Sequence, residues 1–277
     1  MRIRIIDAFT DQPFRGNPAA VCLLDGDTWP DVEWMQRLAV EMNLSETVFA
    51  LPNVDGADYG IRWFTPVREV TMCGHATLAT AHALHVDRGT PATVTFSSLS
   101  GILTVQTAAD GTLTMDFPAS PTTEIPVYNG LGEALGCEIT AAYTTGALGD
   151  LLTVASDERT VRSLAPDFGA VARIGREHDV RGFIVTAQAA EYDFVSRFFA
   201  PNDGIPEDPV TGSAHTALAP FWAERLSRTT LVGLQASART GVVRTEVRGD
   251  RVLLTGTAVV VLDGQLQGSS RPVAAVR

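Results

Sequence analysis

Lysine is absent: all 21 basic residues among the 277 are arginine. That excludes a lysine Schiff base, and with it an internal pyridoxal-phosphate linkage or a lysine-type aldolase. A P-loop lysine is excluded as well. No basic run exists, and 32 acidic residues leave a formal net charge of −11. An acidic surface repels phosphate backbones, so nucleic acid is not an expected partner. Cysteine is scarce. Cys22, Cys73 and Cys137 lie far apart, an odd set with no paired spacing. This argues against a disulfide framework and fits a reducing cytoplasm. No run of about 18 uncharged apolar residues is available to span a membrane. Arg2, Arg4 and Asp7 bring in charge too early for a signal peptide.

What is present is a globular composition, 45% hydrophobic and 19% charged, over a length that suits two domains or one large one. Strands are expected around Ile3 and Ile5 and over Ala19–Leu24. A helix follows, capped by Asp31, with Val32, Met35, Leu38, Ala39 and Met42 at helical spacing and Asn43 as its stop. Leu44–Leu51 and Ile61–Phe64 read as further strands. Gly74–Val86 reads as a second helix. From Met72 to Val86 there is no acidic residue and no arginine, and a helix without a charged face is buried all round. Ala92–Ser98, Ile102–Thr107 and Thr112–Phe117 complete the first half.

The second half repeats the order of the first. Arg62-Trp-Phe-Thr-Pro66 is echoed by Arg197-Phe-Phe-Ala-Pro201, and Gly74-His-Ala-Thr-Leu-Ala79 by Gly212-Ser-Ala-His-Thr-Ala217. Ser100-Gly101 then lines up with Thr240-Gly241, at an offset near 138 residues. Two copies of one α/β unit, each with a helix buried among strands, are therefore expected. The expected domains are 1–117 and 127–277, with the last strand able to return to the first half. Pro118, Pro121 and Pro126 mark 118–126 as a linker.

Few residues stand out as chemical. Glu46 shares a strand face with Leu44, Val48 and Ala50. It is either an edge salt bridge or a carboxylate in a poorly solvated pocket, where desolvation suits it to take and return a proton. Cys73-Gly74-His75 and Thr211-Gly212-Ser213 open the two buried helices. Such starts either are capped by their own side chains or offer N–H groups to an anion, and a pseudo-twofold would turn both toward one cleft. His75, in the first turn, is either a satisfied core histidine or a neutral proton donor whose pKa is lowered by the helix end. Asp208, just ahead of the second start, is a partner for that helix dipole or a site acid. His75, His82 and His85 share a helix with Cys73 nearby, but no Cys-x-x-Cys, no His-Glu-x-x-His and no carboxylate third ligand accompanies them, so no metal is expected. No Gly-x-Gly-x-x-Gly follows a strand, so no dinucleotide is expected either.

Phe14-Arg-Gly-Asn-Pro-Ala-Ala-Val21, Asn43-Leu-Ser-Glu-Thr-Val-Phe49, Arg62-Trp-Phe-Thr-Pro66, Cys73-Gly-His-Ala-Thr-Leu78 and Glu207-Asp-Pro-Val-Thr-Gly-Ser-Ala-His215 together resemble the phenazine-biosynthesis PhzF-like isomerase family. The resemblance implies the α+β, diaminopimelate-epimerase-like fold. In that fold two pseudo-symmetric domains, each a mostly antiparallel sheet wrapped around a central helix, hold the active site between them. It also implies a homodimer without a cofactor, acting on a small carboxylic acid in the manner of trans-2,3-dihydro-3-hydroxyanthranilate isomerisation in secondary metabolism. By the same resemblance Glu46 moves the proton, and His75 and Asp208 assist. Gly74, Gly212 and Ser213 hold substrate, with Cys73 and Asn17 lining the site. Related epimerases use two opposed thiols, whereas the second start here, Pro209-Val-Thr-Gly-Ser213, has none. Many relatives carry Gln-Gly and then Gly-Arg-Pro where this chain reads Gln235-Ala-Ser-Ala-Arg-Thr-Gly241, a departure that bears on the substrate. An amino- or hydroxy-acid epimerase and a non-catalytic metabolite-binding protein are the alternatives.

Overall fold

A computed structural model describes residues 1–267. The chain divides into two compact units. One comprises residues 1–115 with the described residues from Gly256 onward, and the other residues 116–255. No helix among the described residues is long and apolar enough to cross a membrane.

In the first unit, Arg2–Ala8 pairs antiparallel with both Asn17–Leu23 and Ala258–Gln265. Asn17–Leu23 runs parallel to Glu46–Pro52. A parallel pair needs a crossover, and the helix Val32–Met42 supplies it. Asp31 caps this helix by accepting from Glu33 N–H and Trp34 N–H, and Asn43 ends it in the left-handed region at φ 48°, as Asn tolerates. Met35, Leu38 and Ala39 bury its inner face in a core with Phe49 and Phe64. Glu46–Pro52 continues antiparallel to Tyr59–Phe64, which pairs parallel with Thr93–Ser98, and that strand antiparallel with Gly101–Thr107. The sheet curls about the helix Gly74–Arg88, whose residues from Gly74 to Ala81 are all buried.

The second unit repeats this ladder. Leu151–Ala155 runs parallel to Phe183–Gln188, then Phe194–Ala200 antiparallel, Thr230–Gln235 parallel and Gly241–Arg248 antiparallel. Its central helix, Gly212–Leu226, has 15 residues, as does Gly74–Arg88. A side-chain brace recurs with the backbone. Arg62 holds Glu69 through two hydrogen bonds of 2.7 Å, and Arg197 holds Glu207 at 2.7 and 2.8 Å. Each arginine lies over a phenylalanine ring of its own strand, Phe64 or Phe199.

Residues 118–126 are not a free linker. Thr123–Ile125 is a short strand paired antiparallel with Ile139–Thr144. Its flanking prolines are tolerated because they stand outside the paired residues. Just before it, Ser120 N–H donates to the Thr216 carbonyl at 3.0 Å. That carbonyl would normally serve residue 220 of the central helix, but residue 220 is Pro and has no N–H to give. The segment therefore completes a helix that its own sequence leaves short of one bond.

Gly233 shows how closely the second core is filled. A Cβ there would fall 2.3 Å from the Phe194 ring. Phe194 is fully buried and stacks on Trp222 with an interplanar angle of 2°, so it cannot yield. Gly233→Ala is expected to lower stability by about 1–3 kcal/mol through overpacking, read as a reduced urea midpoint.

Candidate active site

The first strand after the crossover begins at Glu46, whose backbone sits beside Ala19 of the parallel neighbour. The neighbouring strand starts at Asn17, and the buried helix starts at Gly74 behind an extended Cys73. Three chain segments thus deliver Asn17, Glu46, Cys73 and His75 to one place. His75 Nε2 lies 3.1 Å from Glu46 Oε2. His75 Nδ1 faces Asn17 Nδ2 at 3.1 Å and Cys73 Sγ at 3.4 Å. Glu46 is 8% exposed, Cys73 7% and His75 4%. Among the described residues, Glu46 is therefore not an edge-strand salt bridge to arginine. It is a buried carboxylate against an imidazole.

The pKa of His75 shifts against the sequence expectation. Burial pulls its pKa down, but the groups on either side, Cys73 and the Glu46 carboxylate, pull it up more strongly, leaving it well above the ordinary histidine value. The direction is upward, opposite to the lowering that the helix end alone would give. A full carboxylate charge at hydrogen-bond distance in a poorly screened site outweighs the fractional charge of a helix end. The Cys73 thiol is pushed up to about 11, by burial first and then by the Glu46 carboxylate, so it keeps its proton and is a poor nucleophile at neutral pH.

Asp208, Gly212 and Ser213 gather in the second unit at the start of the other buried helix. Thr211 donates its hydroxyl to the Asp208 carboxylate. Gln235 braces the same turn. Its Oε1 accepts from Thr211 N–H at 2.8 Å, and its Nε2 donates to the Asp208 carbonyl at 2.8 Å and to Thr211 Oγ1 at 3.1 Å. The glutamine that heads the divergent stretch 235–241 thus has a structural task that Ala236 and Ser237 leave untouched. Neither Cys73 nor Thr211 caps its helix with its side chain, so ordinary side-chain capping does not account for either start.

Two residues beside Ser213 have no signal in the sequence. Arg181 Nη2 lies 3.3 Å from Ser213 Oγ and 2.6 Å from Asp150 Oδ2. Burial pushes the Asp150 carboxyl up to about 7 even though Arg181 works against it. Both residues sit at strand edges with no motif around them, and only the fold brings them to the helix start.

Comparison with known proteins gives the chain's kinship. The family model for phenazine biosynthesis-like proteins matches residues 6–264. An uncharacterized isomerase of Pseudomonas aeruginosa is 48% identical over 263 residues, covering 94% of this chain and 96% of that protein. The crystal structure of a PhzF-family phenazine biosynthesis protein from Enterococcus faecalis matches with a TM-score of 0.88 at 42% identity, covering 95% of this chain and 97% of that one. A protein described as a predicted epimerase, also from Pseudomonas aeruginosa, has the same fold at 21% identity, with a TM-score of 0.77 over 97% of this chain and 99% of that one.

His215, buried on the second helix, provides a test of this electrostatic picture. Its Nδ1 lies 2.8 Å from the Thr211 carbonyl, and burial lowers its pKa to about 4 despite that bond. The folded state therefore binds fewer protons than the unfolded state between about pH 4 and 6.5. The stability this residue contributes is complete above pH 6.5 and disappears as the pH falls toward 4. Its size is about 3 kcal/mol. Urea midpoints measured across that window should fall steeply for the wild-type chain and less steeply for His215→Leu.

Proposed function

The chain belongs to the phenazine biosynthesis-like family, and from that membership we propose that it is an isomerase that moves a proton between two carbons of a small conjugated carboxylic acid. Its α+β fold is the diaminopimelate-epimerase-like arrangement of the family. The observation that carries the proposal is the pairing of one buried carboxylate, Glu46, with the buried His75 at 3.1 Å. Glu46 removes a proton from a carbon next to the unsaturated system. The electron pair left behind shifts along the conjugated bonds, and Glu46 returns the proton to a different carbon. One acid–base group suffices, because the proton leaves and arrives on the same face.

Other residues are suited to binding. His75 Nε2 stands 3.1 Å from Glu46, and the Asn17 side-chain amide lies beside the other ring nitrogen. Gly212 and Ser213 begin a 15-residue helix whose first N–H groups and dipole favour an anion, which suits them to a substrate carboxylate. Asp208, fixed by Thr211, is suited to an amino or hydroxyl group. A cofactor is unnecessary where conjugation already acidifies the carbon. Two-thiol epimerisation is disfavoured, because Cys73 keeps its proton and Thr211 occupies the corresponding place in the second unit.

The test uses heavy water and candidate acids such as trans-2,3-dihydro-3-hydroxyanthranilate. Wild-type protein should insert deuterium at carbon and shift the ultraviolet absorbance of the diene. Glu46→Gln keeps the shape and removes the base, and the rate should fall by about 10² to 10⁴. Exchange at the wild-type rate in Glu46→Gln overturns the assignment. Inverted optical rotation with unchanged absorbance points to epimerisation instead.

A further inference from the structure

The groups at the first helix start also make a set of metal donors. Glu46, Cys73 and His75 each offer one ligand atom, and these atoms all lie within 4.8 Å of one another. Spacing along the chain hides the set, because the carboxylate comes from a strand and the other two from a helix start. The histidines that do share a helix, His82 and His85, are not part of it.

The geometry is close to what one ion needs. His75 Nε2 is 3.1 Å from Glu46 Oε2 and 4.0 Å from Cys73 Sγ. A tetrahedral zinc has bonds of about 2.0 Å to nitrogen and oxygen and about 2.3 Å to sulfur, which separates its ligands by about 3.3 to 3.6 Å. Small side-chain rotations close that difference. The other ring nitrogen lies 3.1 Å from the Asn17 side-chain amide; turned so that its oxygen accepts from Nδ1–H, that amide is the kind of partner that fixes the orientation of a metal-bound histidine. A sulfur–nitrogen–oxygen set selects a borderline-soft ion over magnesium or calcium, which prefer oxygen alone. Three protein ligands leave a fourth place for water.

We propose that Glu46, Cys73 and His75 bind one zinc-class divalent cation, and that the bound ion stops proton transfer by occupying Glu46. The thiol and the ring each release a proton to solvent as their lone pairs bind the ion, and nothing is oxidised or reduced. The inhibitory half rests on the role given to Glu46 above. The binding half does not.

Cobalt(II) chloride alone serves as the probe, titrated into the full chain without oxygen. A thiolate-to-cobalt charge-transfer band should saturate at one ion per chain, and zinc chloride should displace it. Cys137→Ser, which alters a thiol outside the set, should keep the band. Cys73→Ser should lose it while the far-ultraviolet circular dichroism is unchanged. Glu46→Gln should weaken cobalt binding by more than the roughly 10- to 100-fold that loss of an outer-shell partner costs, and this variant decides the matter if Cys73→Ser does not fold. Folded wild-type protein without the band, a band that survives Cys73→Ser, or unaltered affinity in Glu46→Gln overturns the site. Zinc should also abolish deuterium exchange, and a chelator should restore it. Exchange that continues with zinc bound overturns the inhibition. Cobalt binding in a wild-type chain that exchanges no deuterium leaves the site standing, overturns its inhibitory role and rejects the isomerase reading.

Discussion

A helix with no charged face has to be enclosed, and this requirement organises each half of the molecule. Gly74–Arg88 and Gly212–Leu226 present alanine, threonine and leucine on nearly every side. Neither can lie on a surface, so a sheet must curl around each one. Enclosure settles the side walls of the helix but not its first turn, where backbone N–H groups lack partners within the helix. Polar residues collect there because buried donors need acceptors. The buried polar groups described above therefore gather where the packing is least able to satisfy itself.

The two units solve the same problem with different side chains. The ladder of parallel and antiparallel pairs is common to both, and so is the arginine–glutamate brace. The helix starts differ. The first unit places a glutamate and a histidine there, with a thiol and an amide against the ring. The second places an aspartate–threonine–glutamine turn there, with Arg181 and Asp150 beside Ser213. A shared frame with divergent helix starts gives each half its own set of polar groups at the same place in the fold.

Much of the frame was legible in the residues themselves. Asp31 and Asn43 mark the first helix because capping is local, and the two buried helices announce themselves by their missing charge. The doubled order of motifs revealed the duplication. Glu46 stood out because an acid on an apolar strand face needs a reason. The upward pull on the His75 pKa was not legible, since it depends in part on a carboxylate that another strand brings to 3.1 Å. Asp150 and Arg181 were invisible for the same reason. Residues 118–126 look like a spacer by composition, and only the contact with Thr216 shows otherwise. Local signals specify elements, whereas the protonation of a buried group belongs to the assembled molecule.

The proline inside the second central helix carries a consequence for how that unit comes apart. Pro220 deletes one rung, and Ser120 restores it from a segment 96 positions away, with its hydroxyl 3.0 Å from that of Thr216 as a second tether. Fraying of the incoming segment strips the helix of an acceptor's partner, and distortion of the helix casts the segment loose. A chemical gap in one element has become a seam to another, so the two must melt together.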